Sequence, residues 1–352
     1  MKVIAIEEHF ITPLYREKVG ANEFRNFYLK SRGEQLGHDI VEQNSDLGAE
    51  RLAHMDAAGV DVQVLSFGSP GPQAFGAEVA AHMDAAGVDV QVLSFGSPGP
   101  QAFGAEVAIP MARDANDRLY QAIQKHPGRF AGFAALPTAD PEAAAQELER
   151  CVSKLGFKGA MIHGHTRGSF LDERKYWTIF ERAQALGVPI YLHPTLPHPA
   201  VVKAYFDGYE ELARAPWGFA VDTSCHFLRL VFSGLFDAYP QLKIILGHLG
   251  EGLPFAMHRL HDHSWAAAKR RGLRKGPLDY FRENLLVTTS GNWFEPAFVC
   301  TLLALGADNI LFAIDWPYEA NKTGIEFLRK ISISDGDRQK IAHGNAERVL
   351  RM

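Results

Sequence analysis

Cysteine is scarce in this chain: three among 352 residues, Cys151, Cys225 and Cys300, far apart and never in a C-x-x-C spacing. An odd, scattered set argues against a disulfide framework and a thiolate zinc site, and it fits a reducing, cytoplasmic setting. Basic charge is also in short supply. The net charge is -5 at pH 7, which leaves no field to hold a phosphate backbone, so nucleic acid is not an expected partner. No apolar run approaches the roughly 20 residues of a membrane span, and Lys2 is followed by only a short apolar stretch before Glu7 and Glu8, unlike a signal peptide. A soluble protein with no membrane partner is expected. Neither G-x-G-x-x-G nor G-x-x-x-x-G-K-[ST] follows a strand-like run, which removes the usual reason to expect a nucleotide-binding sheet.

What is present is a globular composition, 47% hydrophobic and 22% charged, and one internal repeat. Ala53 to Ala80 and Ala81 to Ala108 carry the same 28 letters, AHMDAAGVDVQVLSFGSPGPQAFGAEVA. Repeats of a stacked architecture diverge and usually number at least three, so two identical copies read as a recent or engineered tandem duplication. Each copy reads as the end of a helix, a strand and a Gly/Pro loop, one α-β module. A closed barrel has no vacancy for an extra strand, because strand number and tilt are linked. The expectation is a single domain over residues 1–352, with one copy in the sheet and the other extruded or exchanged with a neighbouring subunit.

Elsewhere short apolar runs alternate with segments of helical period, as parallel β-α units do. The strand candidates are Val3 to Glu8, one copy of Val60 to Phe67, Phe130 to Leu136, Gly159 to His163, Pro189 to His193, Lys243 to His248, Leu285 to Ser290 and Asn309 to Asp315. Eight such runs predict a (β/α)8 barrel of the TIM type, with an open doubly wound sheet as the alternative. In a barrel the chemistry sits at the C-terminal ends of the strands. The first strand ends in Glu7-Glu8-His9, where Glu7 and His9 share a face and Glu8 points opposite. The fifth ends in His193, the sixth in His248-Leu249-Gly250-Glu251, and the eighth in Asp315. Glu7, His9, His193 and Asp315 form an oxygen and nitrogen set that suits one Zn²⁺ or Mn²⁺. His163 and His165, also spaced by two, read as a substrate or outer pair. His261-Asp262-His263 falls in a helical stretch and reads as solvated surface. Phe24, Phe27 and Tyr28, in the long connection after the first strand, suit a lid or a subunit contact.

These strand ends, with the stretches HMDAAGVDVQVLS, GRFAGFAALP, LGFKGAMIHGHT, VPIYLHP, GHLGEGLP, VTTSGNW and ILFAIDWPYE, carry a family resemblance. The chain resembles the amidohydrolase-superfamily decarboxylases related to aminocarboxymuconate semialdehyde decarboxylase, and most closely the γ-resorcylate (2,6-dihydroxybenzoate) and related hydroxybenzoate decarboxylases. The resemblance implies a divalent metal on Glu7, His9, His193 and Asp315, with no organic cofactor. It also implies His248 and Glu251 as a catalytic relay, Arg259 as a contact for a substrate carboxylate, and assembly as a homodimer or homotetramer. His163 stands where these decarboxylases often carry Asn. The implied activity is non-oxidative decarboxylation of a small aromatic carboxylate, the metal binding its ortho-phenolate and carboxylate. Direct loss of CO₂ would leave an aryl anion, so a proton must first reach the carbon bearing the carboxylate, and Asp315 is the expected donor. The rivals are a hydrolase or hydratase of the same superfamily acting on a lactone or enol, and a catalytically silent barrel disabled by the duplication.

Overall fold

A computed structural model describes residues 1–19, 23–66, 91–95 and 99–352. Its strands are β1 (Ile4–Phe10), β2 (Val62–Ser66), β3 (Gln91–Phe95), β4 (Phe130–Gly132), β5 (Ala134–Ala135), β6 (Ala160–His163), β7 (Ile190–His193), β8 (Ile244–Leu246), β9 (Leu285–Thr288) and β10 (Ile310–Leu311). The paired strands are parallel. Helices join the described strands from β5 onward, because parallel neighbours need a crossover. The helix Pro141–Leu155 illustrates how the sequence builds one. Asp140 caps its start by accepting from the Ala143 N–H at 3.0 Å, Pro141 opens it, and Gly156 at φ 75° ends it. Ala144, Ala145, Leu148 and Cys151 form the buried stripe that lies on the sheet.

The run from Phe130 to Leu136 divides at Phe133 into β4 and β5, yet the ladder carries through. The Lys158 N–H donates to Gly132 O at 2.8 Å, and the Ala134 N–H to Gly159 O at 2.9 Å. Gly132 packs closely there, since a Cβ would lie 3.0 Å from Leu119 and the Phe157 ring and would push them aside. The barrel closes between β10 and β1: Ile6 N–H donates to Phe312 O at 3.2 Å, Asp315 N–H to Glu7 O at 2.8 Å, and His9 N–H to Trp316 O at 2.7 Å. Inside, Ile4, Ile6, Phe133, Met161, Tyr191 and Ile245 form a fully buried core. Truncating a side chain such as Phe133 to Ala would cost about 3–5 kcal/mol.

Each copy of the duplicated segment contributes a strand that pairs with β1 and β4. Gln63 of β2 and Gln91 of β3 both register opposite Phe130, and Ser66 and Ser94 both opposite His9. A strand edge offers one row of ladder groups at a spacing of about 4.8 Å, and β2 and β3 both pair with the same rows, those facing the slot between β1 and β4. The helix before the slot, Ala49–Ala58, ends in the first copy, and the helix after it, Ala105–Lys125, begins in the second. Counting β4 with β5 and the slot once, the barrel has the eight strand positions read from the sequence. The SPGPQ loop of the first copy lies outside the described residues.

Candidate active site

Alternation along β1 turns Glu7 and His9 to the same side, and both are buried. His193 arrives at the end of β7 and Asp315 beyond β10, at φ 80°. One ligand atom from each of Glu7, His9, His193 and Asp315 lies within 4.8 Å of the others. His9 Nε2 is 2.7 Å from Asp315 Oδ1, and His193 Nε2 is 3.3 Å from Glu7 Oε1. Glu7 Oε2 accepts from the Tyr191 hydroxyl and, at 3.2 Å, from the Thr288 hydroxyl, whereas buried Oε1 has no hydrogen-bond partner. His193 Nδ1 donates to Pro194 O at 2.8 Å, which leaves the Nε2 lone pair facing the cluster. Gly247 lets these groups close up: a Cβ there would sit 3.0 Å from the Glu7 carboxylate and 3.1 Å from the Tyr191 hydroxyl.

The turn after β8 places the next pair. His248, Leu249 and Glu251 have φ of 53°, 60° and 54°, a left-handed run that curls the chain back on itself. His248 Nδ1 thereby lies 2.6 Å from Glu251 Oε1, and its Nε2 lies 3.7 Å from Asp315 Oδ2 and 3.8 Å from Glu7 Oε1.

Charge follows from this geometry. Burial pushes the Glu7 carboxyl up, but His248, His193 and His9 outweigh it and hold Glu7 well below the ordinary carboxylate range. Burial likewise opposes ionised Asp315, and hydrogen bonds from His248 and His9 hold it low. His9 is kept neutral because burial outweighs its bond to Asp315. His248 goes the other way, pushed down by burial and raised well above its ordinary value by Glu251, Glu7 and Asp315. Two imidazoles and two carboxylates, one of them with an oxygen that no hydrogen bond satisfies, all facing one point, fit a divalent cation.

Over the cluster opens a cavity of about 490 Å³, with His9, His193, His248 and Asp315 at its base and Arg214, Trp217, Asn292 and Tyr318 on its walls. Three residues singled out in the sequence lie off these walls. His163 is buried behind His193, the two Nδ1 atoms 3.0 Å apart. His165 Nδ1 accepts from the Gly168 N–H at 3.0 Å, its ring beside Phe170 and His198. Arg259 is exposed on the helix Leu253–Arg270. Phe24, Phe27 and Tyr28 lie on the helix Glu23–Leu36, their side chains outside the described residues. That helix reaches the cavity through Leu29, and Arg32 pairs with Glu319 and donates to Tyr318 O at 3.1 Å.

Tyr191 and Arg214 escaped sequence reasoning. Tyr191 had a signal, since it stands two residues before His193 and so on the same face of β7. Arg214 had none; it lies in an irregular stretch before the helix Gly218–Phe232.

Comparison with known proteins places this architecture. The amidohydrolase family profile matches residues 48–352. The γ-resorcylate decarboxylase of Polaromonas sp. (strain JS666 / ATCC BAA-500) is 44% identical over 360 residues, covering 99% of this chain and 98% of that one. The crystal structure of dihydroxybenzoic acid decarboxylase from Polaromonas sp. JS666, with bound manganese and the inhibitor 2-nitroresorcinol, superposes with a TM-score of 0.82 at 37% identity, over 99% and 97% of the two chains. A 2,6-dihydroxybenzoate decarboxylase complexed with 2,6-dihydroxybenzoate gives 0.83 at 36% identity, over 100% and 99%. The chain therefore belongs to the amidohydrolase superfamily, and its close homologues there are decarboxylases that include the γ-resorcylate decarboxylases.

Proposed function

We propose that this protein is a carboxy-lyase that removes CO₂ from a hydroxybenzoate, a γ-resorcylate or salicylate-like substrate, without oxidation. The observation that carries the reading is the placement of His248 between Glu251, 2.6 Å from its Nδ1, and Asp315, 3.7 Å from its Nε2, at the base of an open cavity. Glu7, His9, His193 and Asp315 would hold one divalent ion, and the manganese in the Polaromonas relative favours Mn²⁺ over Zn²⁺. When bound, such an ion supplies Lewis-acid stabilisation of charge on the ortho oxygen and the carboxylate of the substrate.

The residues then manage one proton. Asp315 is an anion in the resting site and needs a supply. His248, held cationic by Glu251, passes its proton across the Nε2 to Oδ2 gap, and Asp315 delivers it to the ring carbon that bears the carboxylate. As the C–C bond to the carboxylate breaks, its electron pair restores the aromatic ring and CO₂ leaves. Proton delivery first is what spares the ring an unstabilised anion. His163 and His165 are read as support behind His193 and the β6 end, and the candidates for contact with the substrate carboxylate are Arg214, on the cavity wall, and Arg259, exposed off it.

Exposed Phe255, Phe294 and Leu303 support the reading of a homodimer or homotetramer. The three unpaired cysteines fit a reducing, cytoplasmic setting; among the described residues no helix is long and apolar enough to cross a membrane. Incubation with 2,6-dihydroxybenzoate and, in parallel, with a lactone tests the activity. Lactone opening without CO₂ release would replace it with a hydrolase or hydratase.

A further inference from the structure

The face of β1 opposite Glu7 and His9 carries Glu8, which is fully buried although it points away from the cluster. Its two carboxylate oxygens are both committed to the far end of the barrel seam. Oε1 accepts from the Ile314 N–H and Oε2 from the Trp316 N–H, each at 2.9 Å. These are the two amides that flank Asp315. The amide of Asp315 itself donates to Glu7 O at 2.8 Å, and Trp316 O accepts from the His9 N–H at 2.7 Å.

Regular β10 covers only Ile310–Leu311, so the chain from Ile314 to Trp316 is held to β1 by this side-chain fork together with those backbone bonds. The hold matters because Asp315 sits at φ 80°, a conformation costly for a residue with a Cβ and kept only where its surroundings fix it. Fully buried Arg51 braces the other side of the fork, donating to His9 O at 2.6 Å and Gln43 O at 2.9 Å.

We infer that Glu8 is a positioning residue: by bracketing the amides on either side of Asp315 it sets where that carboxylate stands between His9 and His248. A carboxyl group suits the task because each of its oxygens can accept an N–H, even with burial pushing its pKa up. A glutamine in its place would turn an NH₂ group against one of the two N–H donors. The inference rests on the reading of Glu7, His9, His193 and Asp315 as a metal site.

The test is Mn²⁺ titration of chelator-stripped wild-type protein and of Glu8→Gln, with Asn116→Asp as a comparison. Asn116 makes the same kind of buried bracket around another strand residue, its Nδ2 donating to Ala135 O at 3.0 Å and its Oδ1 accepting from the Ala135 N–H at 2.8 Å. Glu8→Gln is expected to bind Mn²⁺ about 10-fold or more weakly. Its kcat for 2,6-dihydroxybenzoate should fall further than its KM rises, whereas Asn116→Asp lowers the melting temperature and binds Mn²⁺ as the wild type does. If Glu8→Gln does not fold, Glu8→Asp is read by the same criterion. Wild-type Mn²⁺ affinity in the folded Glu8 variant overturns this inference alone. A wild-type protein that binds neither Mn²⁺ nor Zn²⁺ overturns the metal reading and this inference with it.

Discussion

His248 Nδ1 lies 2.6 Å from Glu251 Oε1, three residues on, while the opposite ring nitrogen lies 3.7 Å from Asp315 Oδ2. The imidazole thus stands between two carboxyl groups, the arrangement that the proposed relay requires. Burial pushes its pKa down, and Glu251 leads the groups that raise it above the ordinary value. A cationic histidine is fully present below its folded pKa and lost as pH rises through it. The kcat profile should therefore fall on its alkaline side. Glu251→Gln should move that limb to lower pH and reduce kcat by about 10²-fold or more with Mn²⁺ still bound. An alkaline limb left in place by Glu251→Gln would remove the relay.

Among the described residues that line the cavity Arg214 is the permanent cation, whereas Arg259 is exposed elsewhere in the same chain. Arg214→Gln should weaken binding of 2,6-dihydroxybenzoate about 10-fold and leave resorcinol, which lacks the carboxylate, nearly unchanged. Arg259→Gln measured beside it separates the two candidates. Loss with Arg259→Gln alone would assign the carboxylate contact to Arg259.

Asp222, on the helix Gly218–Phe232, is buried with Oδ2 unpartnered, and burial pushes its carboxyl from 3.8 to about 7. An acid raised in the fold keeps its proton when the unfolded chain has already released it. Stability from this group is thus full below about pH 4 and declines until about pH 7. The displacement corresponds to at most about 4 kcal/mol, less to the extent that water reaches the group. Asp222→Asn, which mimics the neutral acid, should melt close to the wild type at pH 4 and several degrees higher at about pH 8. Parallel melting curves across that range would contradict the assignment.

For the duplication we propose that one copy fills the slot and the other stands outside the barrel. Because β2 and β3 meet the same partners, a proline in one of them should be tolerated. Val64→Pro and Val92→Pro are each expected to fold and retain activity, and the double variant to fail. Collapse of either single variant would show that both copies are required.

How much of this was legible in the sequence depended on how local the cause was. Glu7, His9, His193, His248 and Asp315 could be found because polar residues ending apolar runs mark the mouth of a barrel. The eight strand positions followed from the same runs. The break at Phe133 could not be read, since the letters from Phe130 to Leu136 form one unbroken apolar run. Arg214 was hidden for a like reason, because its place on the cavity wall comes from tertiary packing. Alternation assigned Glu8 correctly to the face opposite Glu7, but the amides it holds are some 306 and 308 residues away in sequence. The duplication was the converse case: its identity was plain in the letters, and the shared register of its two strands needed the fold.

The central claim is decarboxylation by a metal-loaded site, and the most direct measurement is CO₂ release from 2,6-dihydroxybenzoate by Mn²⁺-loaded protein, before and after chelation. The account predicts CO₂ and resorcinol in equal amounts, loss of both on chelation and recovery on adding Mn²⁺ back. Release that persists unchanged in the metal-free protein, or no release at any Mn²⁺ loading, would contradict it.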